Sequence, residues 1–139
     1  MSAFRYSRMI EFCDTDLAGI MHFSNYFRFM EAAEHAYLRN CGLSVVGTWE
    51  GQAIGFPRVS ASCDYIRPVR FADTVEVEVT VEKIGTSSVR YAFTFYKGPE
   101  VVARGQTTAV LCRVRADGEL ETMPIPEALR EKIQRGPTE

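Results

Sequence analysis

Asp14, Asp16, Gly19 and His22 crowd into one short stretch of the chain, "EFCDTDLAGIMHFSNYFRFMEAAEHAYLR", just ahead of a segment with helical periodicity. The first turn of a helix leaves backbone N–H groups unpaired, and the helix dipole adds partial positive charge, so developing negative charge is favoured there. A carboxylate held nearby can attack a carbonyl or activate water. Together these parts make a minimal acyl-transfer site, with a backbone oxyanion hole and an aspartate as nucleophile or base. Each aspartate would serve equally as a loop or cap residue, a common role for Asp ahead of a helix.

Other chemistries lack their residues. The chain has no Gly-x-Ser-x-Gly elbow, no phosphate-cradling loop, no dinucleotide fingerprint and no His-Glu-x-x-His. A Ser-His-Asp triad would have to use one of only two histidines, and His35 sits beside Glu34 in the middle of the helical segment, where solvation explains it. Cys13, Cys41, Cys63 and Cys112 are far apart with no Cys-x-x-Cys pair, the pattern of reduced thiols in a cytoplasmic protein rather than a metal site. Cys13 has no neighbouring base to activate it. No metal or cofactor is expected.

The elements that must position the loop can be read from periodicity. Residues 1–139 suffice for one domain with a real core. A net charge of −2 gives no general electrostatic case for nucleic acid or an anionic membrane. Apolar runs are short and broken by charge, so no membrane span is expected, and nothing at the start reads as a signal peptide. "FRYSRMIEF" alternates, predicting a strand with Phe4, Tyr6, Ile10 and Phe12 on one face. Tyr26, Met30, Ala33 and Tyr37 draw a stripe that predicts a helix over about 24–40, with Gly42 as its left-handed cap. Residues 42–55 carry four glycines and the single tryptophan, Trp49, and read as a long mobile loop.

From 56 to 116 the pattern is strands. Val75, Val77, Val79 and Val81 alternate with Glu76, Glu78, Thr80 and Glu82, and Val89, Tyr91, Phe93 and Phe95 repeat the alternation. This predicts a meander of antiparallel strands with one covered face and one wet face. Turns fall at 85–88 and at "KGPE", Gly105 is a candidate bend or bulge, and "MPIPEALREKIQ" closes as a short helix entered through Pro126.

"DTDLAGIMHFSNYFRFME", with "YIRPVRFADTVEVEV" and the "IPEAL" ending, resembles the 4-hydroxybenzoyl-CoA thioesterase family, the hotdog-fold acyl-CoA thioesterases, over nearly the whole chain. The resemblance implies an α+β hotdog fold, a curled antiparallel sheet of five or six strands around one long central helix. It implies hydrolysis of an acyl-CoA thioester, with Asp16 as catalytic carboxylate, the Phe23 backbone N–H as oxyanion hole, Gly19 turning the loop and His22 beside it. Tyr26, Glu31, Trp49, Phe56 and Arg90 are the expected substrate contacts. The chain departs from the family's aryl-CoA member at two places. It reads "GTSS" where a basic cluster holds the nucleotide phosphates, leaving Arg90 and Lys83 as substitutes, and Phe56 stands where a small polar residue touches the acyl group. A related hotdog clade carries its catalytic carboxylate nine residues after a histidine, the spacing of His22 and Glu31 here; Glu31 also reads as a surface charge near Arg28 or His35.

Thioester hydrolysis suits sparse equipment, because coenzyme A is a good thiolate leaving group and no metal is needed. Two other functions are compatible with the same residues. Asp16 with His22 would suit a hotdog hydratase or dehydratase acting on acyl thioesters, and the fold could serve as a non-catalytic acyl-thioester binding domain. One sheet covered by one helix leaves an edge unpaired, so a homodimer or homotetramer is expected, with the site at the subunit boundary.

Overall fold

A computed structural model describes residues 3–44 and 47–137; Val45 and Val46, within the glycine-rich 42–55 stretch, lie outside the described residues. The principal sheet has five strands: β1 (Phe4–Met9), β4 (Arg58–Tyr65), β5 (Thr74–Ile84), β6 (Ser88–Lys97) and β7 (Glu100–Val110). Their spatial order is β1-β5-β6-β7-β4, all antiparallel. β5, β6 and β7 form the expected meander. β4 departs from it by pairing with β7 at the far edge, so the sheet is not one continuous meander. A smaller sheet joins β2 (Thr48–Trp49), β3 (Gln52–Gly55), β8 (Cys112–Val114) and β9 (Leu120–Thr122).

The long helix α1 (Asn25–Asn40) packs on the covered face of the principal sheet. Its stripe is as expected: Tyr26, Met30, Ala33 and Tyr37 are buried. They meet Val75, Val77 and Val79 from β5 and Val89, Tyr91, Phe93 and Phe95 from β6, all buried. Val81, the last of its series, is half-buried. Each buried valine, phenylalanine or methionine among them contributes about 1.5–3 kcal/mol by leaving water. The second helix, α2 (Glu127–Arg135), starts after Pro126 and is tied to α1 by Tyr37, whose hydroxyl donates to the Ile133 carbonyl at 2.9 Å.

Three local expectations are corrected. β1 stops at Met9, and a turn of 3-10 helix at Phe12–Asp14 swings Phe12 into the open, against Phe71, instead of onto the face of Phe4 and Tyr6. The 42–55 stretch holds a hairpin rather than a structureless loop. Glu50 and Gly51, at φ of 50° and 80°, make the two-residue turn between β2 and β3. Gly105 marks no bulge, since the β6–β7 register is continuous through it. A Cβ there would collide with the Met30 thioether, so the glycine makes room for that side chain of α1 against the sheet.

Candidate active site

The loop before α1 is folded by its own aspartates, and the two do different jobs. Asp14 is 7% exposed; its carboxylate accepts the Glu11 amide at 2.9 Å, and its carbonyl accepts both the His22 amide and the Asn25 side-chain amide. That ties the loop to the first turn of α1. Asp16 closes a tight reversal. Its amide donates to the Ile20 carbonyl, its carbonyl accepts the Gly19 amide, and its Oδ1 accepts the Ala18 amide at 2.8 Å. Gly19 sits at φ of 78°, a left-handed conformation that costs other residues energy. Asp16 Oδ2 has no partner among the described residues.

Several amides at the helix entry are engaged. His22 donates to Asp14, Ser24 donates to the His22 ring at 3.2 Å, and Asn25 donates to the His22 carbonyl. Phe23 and Tyr26 are not among them: neither N–H meets an acceptor among the described residues, and that of Phe23 stands just ahead of the helix. No side chain caps the helix either. Nδ1 of His22 accepts from Ser24, and the ring stacks on Phe23 at 4.6 Å, which holds the 22–24 backbone in place. From β4, the Tyr65 hydroxyl donates to the Phe23 carbonyl at 2.9 Å, fixing the next peptide of the same turn.

Asp16, Phe23, Tyr26, Tyr65 and Arg67 line one open groove of about 440 Å³. Tyr26 packs edge-on to Tyr65 at 4.8 Å, and burial pushes its phenol up to about 12, so it stays protonated in the groove wall. An acyl carbon placed over this groove has a carboxylate and an unengaged N–H within one loop of each other.

A second, more enclosed cavity of about 170 Å³ lies further along α1. Glu34, His35, Trp49, Phe56, Arg58 and Lys132 contribute to its wall. Glu34 is 2% exposed; its Oε2 accepts from Arg58 Nη2 at 2.6 Å, while Oε1 has no partner among the described residues. Burial raises its carboxyl from 4.5 to about 7, outweighing the opposing pull of the Arg58 guanidinium, and Glu31 adds to the rise. Burial also lowers His35.

The structure thus brings Asp16, Phe23 and Tyr26 together along the groove, and Trp49 with Phe56 around the cavity; Gly19 and His22 belong to the loop that carries Asp16 and Phe23 but do not line the groove. Glu31 stands exposed on α1 and lines neither. Arg90 projects from β6 between Val89 and Tyr91, both buried, so it faces the side of the sheet away from α1 and both openings. Glu34, Arg58 and Tyr65 enter the picture only with the structure. For Glu34 the signal was present, since it is four residues past Met30 and three before Tyr37, a charge on the apolar stripe. Arg58 and Tyr65 carry no such mark, because their roles depend on where β4 pairs.

The model of the thioesterase-like superfamily matches residues 10–133. The chain belongs to that superfamily. A solved gentisyl-coenzyme A thioesterase superposes with a TM-score of 0.82 at 29% identity, covering 93% of this chain and 98% of that one. The 1,4-dihydroxy-2-naphthoyl-CoA hydrolase of Thermosynechococcus vestitus is 26% identical over 135 residues, 96% of this chain and 90% of that protein. A 1,4-dihydroxy-2-naphthoyl-CoA thioesterase from Synechocystis shares the fold at a TM-score of 0.81 and 23% identity, covering 96% of each chain. The hotdog thioesterase fold, with its antiparallel sheet and helices, is therefore that of this chain, and thioester hydrolysis is its activity class. The match is to the superfamily; the 4-hydroxybenzoyl-CoA branch is not singled out. Among the described residues no helix is long and apolar enough to cross a membrane.

Proposed function

We propose that residues 1–139 form one hotdog domain that hydrolyses an acyl-CoA thioester to the free acid and coenzyme A, with Asp16 as the catalytic carboxylate. The observation that carries this reading is the pairing of Asp16 with the unengaged Phe23 N–H in one groove. As the tetrahedral carbon forms, the carbonyl oxygen becomes an oxyanion and the Phe23 amide donates to it. Asp16 Oδ2 attacks the carbonyl or takes a proton from the attacking water. The C–S bond then breaks and the thiolate leaves. Water supplies the oxygen and hydrogen that end in the acid and the thiol.

His22 fits this role better than proton transfer to carbon. Its Nδ1 is engaged by Ser24, and its ring lies flat on Phe23. That arrangement supports the oxyanion peptide and weakens the hydratase alternative. The finer assignment, to the 4-hydroxybenzoyl-CoA branch, rests on the Asp14–Tyr26 segment.

Assembly completes the proposal. β4 is an edge strand, mostly exposed along its length, and Val59, Tyr65 and Ile66 expose apolar surface beside it. Such an edge invites pairing. In our reading two copies join β4 to β4 as a homodimer, the unit from which a homotetramer is built, and the pantetheine arm runs between subunits with Trp49 and Phe56 near the acyl end. Arg90, on the outer face, is available to the nucleotide phosphates. A cytoplasmic location follows from the same reading. The test is free-thiol release from a panel of aromatic, short-chain and long-chain acyl-CoAs, with light scattering on the same preparation. Turnover of at least one ester by a dimer or tetramer is expected; no thiol from any ester, or a monomer at micromolar concentration, contradicts it.

A further inference from the structure

The cavity beside Glu34 has no part in the chemistry at Asp16, yet it is built like a site. Among the described residues, Glu34 Oε1 is buried without a partner, and so is the indole Nε1 of Trp49, which lines the same cavity. A buried polar atom is normally satisfied by protein, water or ligand. Arg58 holds Oε2 at 2.6 Å and donates through Nη1 to the Phe56 carbonyl, so the carboxyl is anchored on one oxygen only. The free volume, about 170 Å³, is close to the roughly 150 Å³ of a protein cavity that takes benzene. It admits one ring.

β4 connects this cavity to the groove. Phe56 and Arg58 border the cavity at one end of the strand; Tyr65 and Ile66 border the groove at the other, roughly 23 Å away at 3.3 Å per residue. Both openings are lined by α1 residues, so both lie on the same face of the sheet. A two-fold axis normal to the sheet makes two copies of β4 antiparallel and keeps both helices on one face. Full-length pairing then sets Arg58 opposite Tyr65 of the partner subunit, with strands about 4.8 Å apart. Such pairing would set the cavity of one copy across the strand pair from the groove of the other.

Resting on the reading of Asp16 as catalytic carboxylate and on the β4-paired dimer, we propose that Glu34 is a specificity residue for the acyl group handled by Asp16 of the partner subunit. Its Oε1 accepts a hydrogen bond from a hydroxyl at the far end of a compact, single-ring acyl group. Arg58 aims the carboxyl, and Trp49 offers a flat wall with an N–H for a second oxygen. A site built to bond a hydroxyl discriminates strongly against the analogue without it, because its own buried group is then left unpaired.

The sole tryptophan lines the cavity, so its fluorescence reports binding without any need for turnover. The probes are two non-hydrolysable thioethers, S-(4-hydroxyphenethyl)-CoA and S-phenethyl-CoA. The wild type is expected to bind the hydroxylated probe at least tenfold more tightly. In the double variant Glu34→Met/Arg58→Met, which removes both charges together, the ratio should fall to within about twofold of unity. If that variant does not fold, Glu34→Gln is expected to cut the ratio at least threefold. Equal binding of the two probes by wild type, or a ratio unchanged in the variant, overturns the proposal even if the enzyme hydrolyses other esters. The subunit crossing has its own test with 4-hydroxyphenylacetyl-CoA and phenylacetyl-CoA. Co-expressed Asp16→Asn and Glu34→Met/Arg58→Met chains form hybrid dimers with one intact composite site alongside the two homodimers, so the hydroxyl preference in kcat/KM should rise from the double variant's ratio toward that of the wild type. A mixture that keeps the double variant's ratio shows that groove and cavity do not combine across the dimer.

Discussion

The Asp16 groove and the Glu34 cavity each set a carboxyl group against α1, and the two are opposite in nearly every physical respect. Asp16 lies in an open loop, half-buried, with one oxygen free and an unengaged amide within the same groove. Glu34 lies in the packed face of the helix, held by Arg58 and raised to about 7 by burial. Access to water and a neighbouring donor for the oxyanion suit the first to bond-making. Enclosure and a fixed guanidinium suit the second to holding shape and reading a ligand. Position relative to the helix entry, more than carboxyl chemistry itself, separates the two roles.

The largest effect expected in breaking this contrast is at the amide. Phe23→Pro removes the N–H without touching Asp16 and should lower kcat by about 10²–10³, the scale of one lost oxyanion donor, with circular dichroism unchanged. On the cavity side, Arg58→Met leaves Glu34 buried without its cation. Chemical denaturation should show a loss of about 1–3 kcal/mol at neutral pH, the cost of leaving a buried polar group without its partner, because Glu34 takes up a proton once the guanidinium is gone. A third effect has a definite sign. Because the folded carboxyl of Glu34 is raised from 4.5 to about 7, the folded chain keeps a proton that the unfolded chain has lost. Stability from this group is therefore full below about 4.5, declines as pH rises through about 7 and then levels off. Glu34→Gln should flatten that slope in thermal melts; an unaltered slope would mean another group sets it. The smallest effect is expected from Glu31→Gln, within about threefold of wild type in kcat/KM, because Glu31 borders neither opening.

Much of this contrast was legible before any coordinates. The helical stripe of Tyr26, Met30, Ala33 and Tyr37 and the valine alternation of β5 fix which surfaces meet, because periodicity is local. The loop residues around Asp16 stand out by type and spacing. What sequence could not supply was long-range pairing. β4 crosses to the far edge, the glycine-rich stretch folds because β3 finds β8, and Gly105 serves α1 instead of its own strand. Arg90 shows the same limit. Its charge and neighbourhood suggest a phosphate contact, but strand alternation sets it on the outer face, so only the assembly proposed above would relate it to the groove. Glu34 was readable in principle as a charge on an apolar stripe, but its partner on β4 was not.

The central claim is that Asp16, and not a carboxylate on α1, performs the chemistry. Thiol release from the best acyl-CoA substrate, measured side by side for wild type, Asp16→Asn and Glu31→Gln, tests it most directly. Asp16→Asn keeps the side chain's shape, so kcat should fall by about a hundredfold or more with KM changed much less, while Glu31→Gln stays close to wild type. Near-normal turnover by Asp16→Asn together with loss of hydrolysis in Glu31→Gln would contradict the account and move the reaction onto the helix.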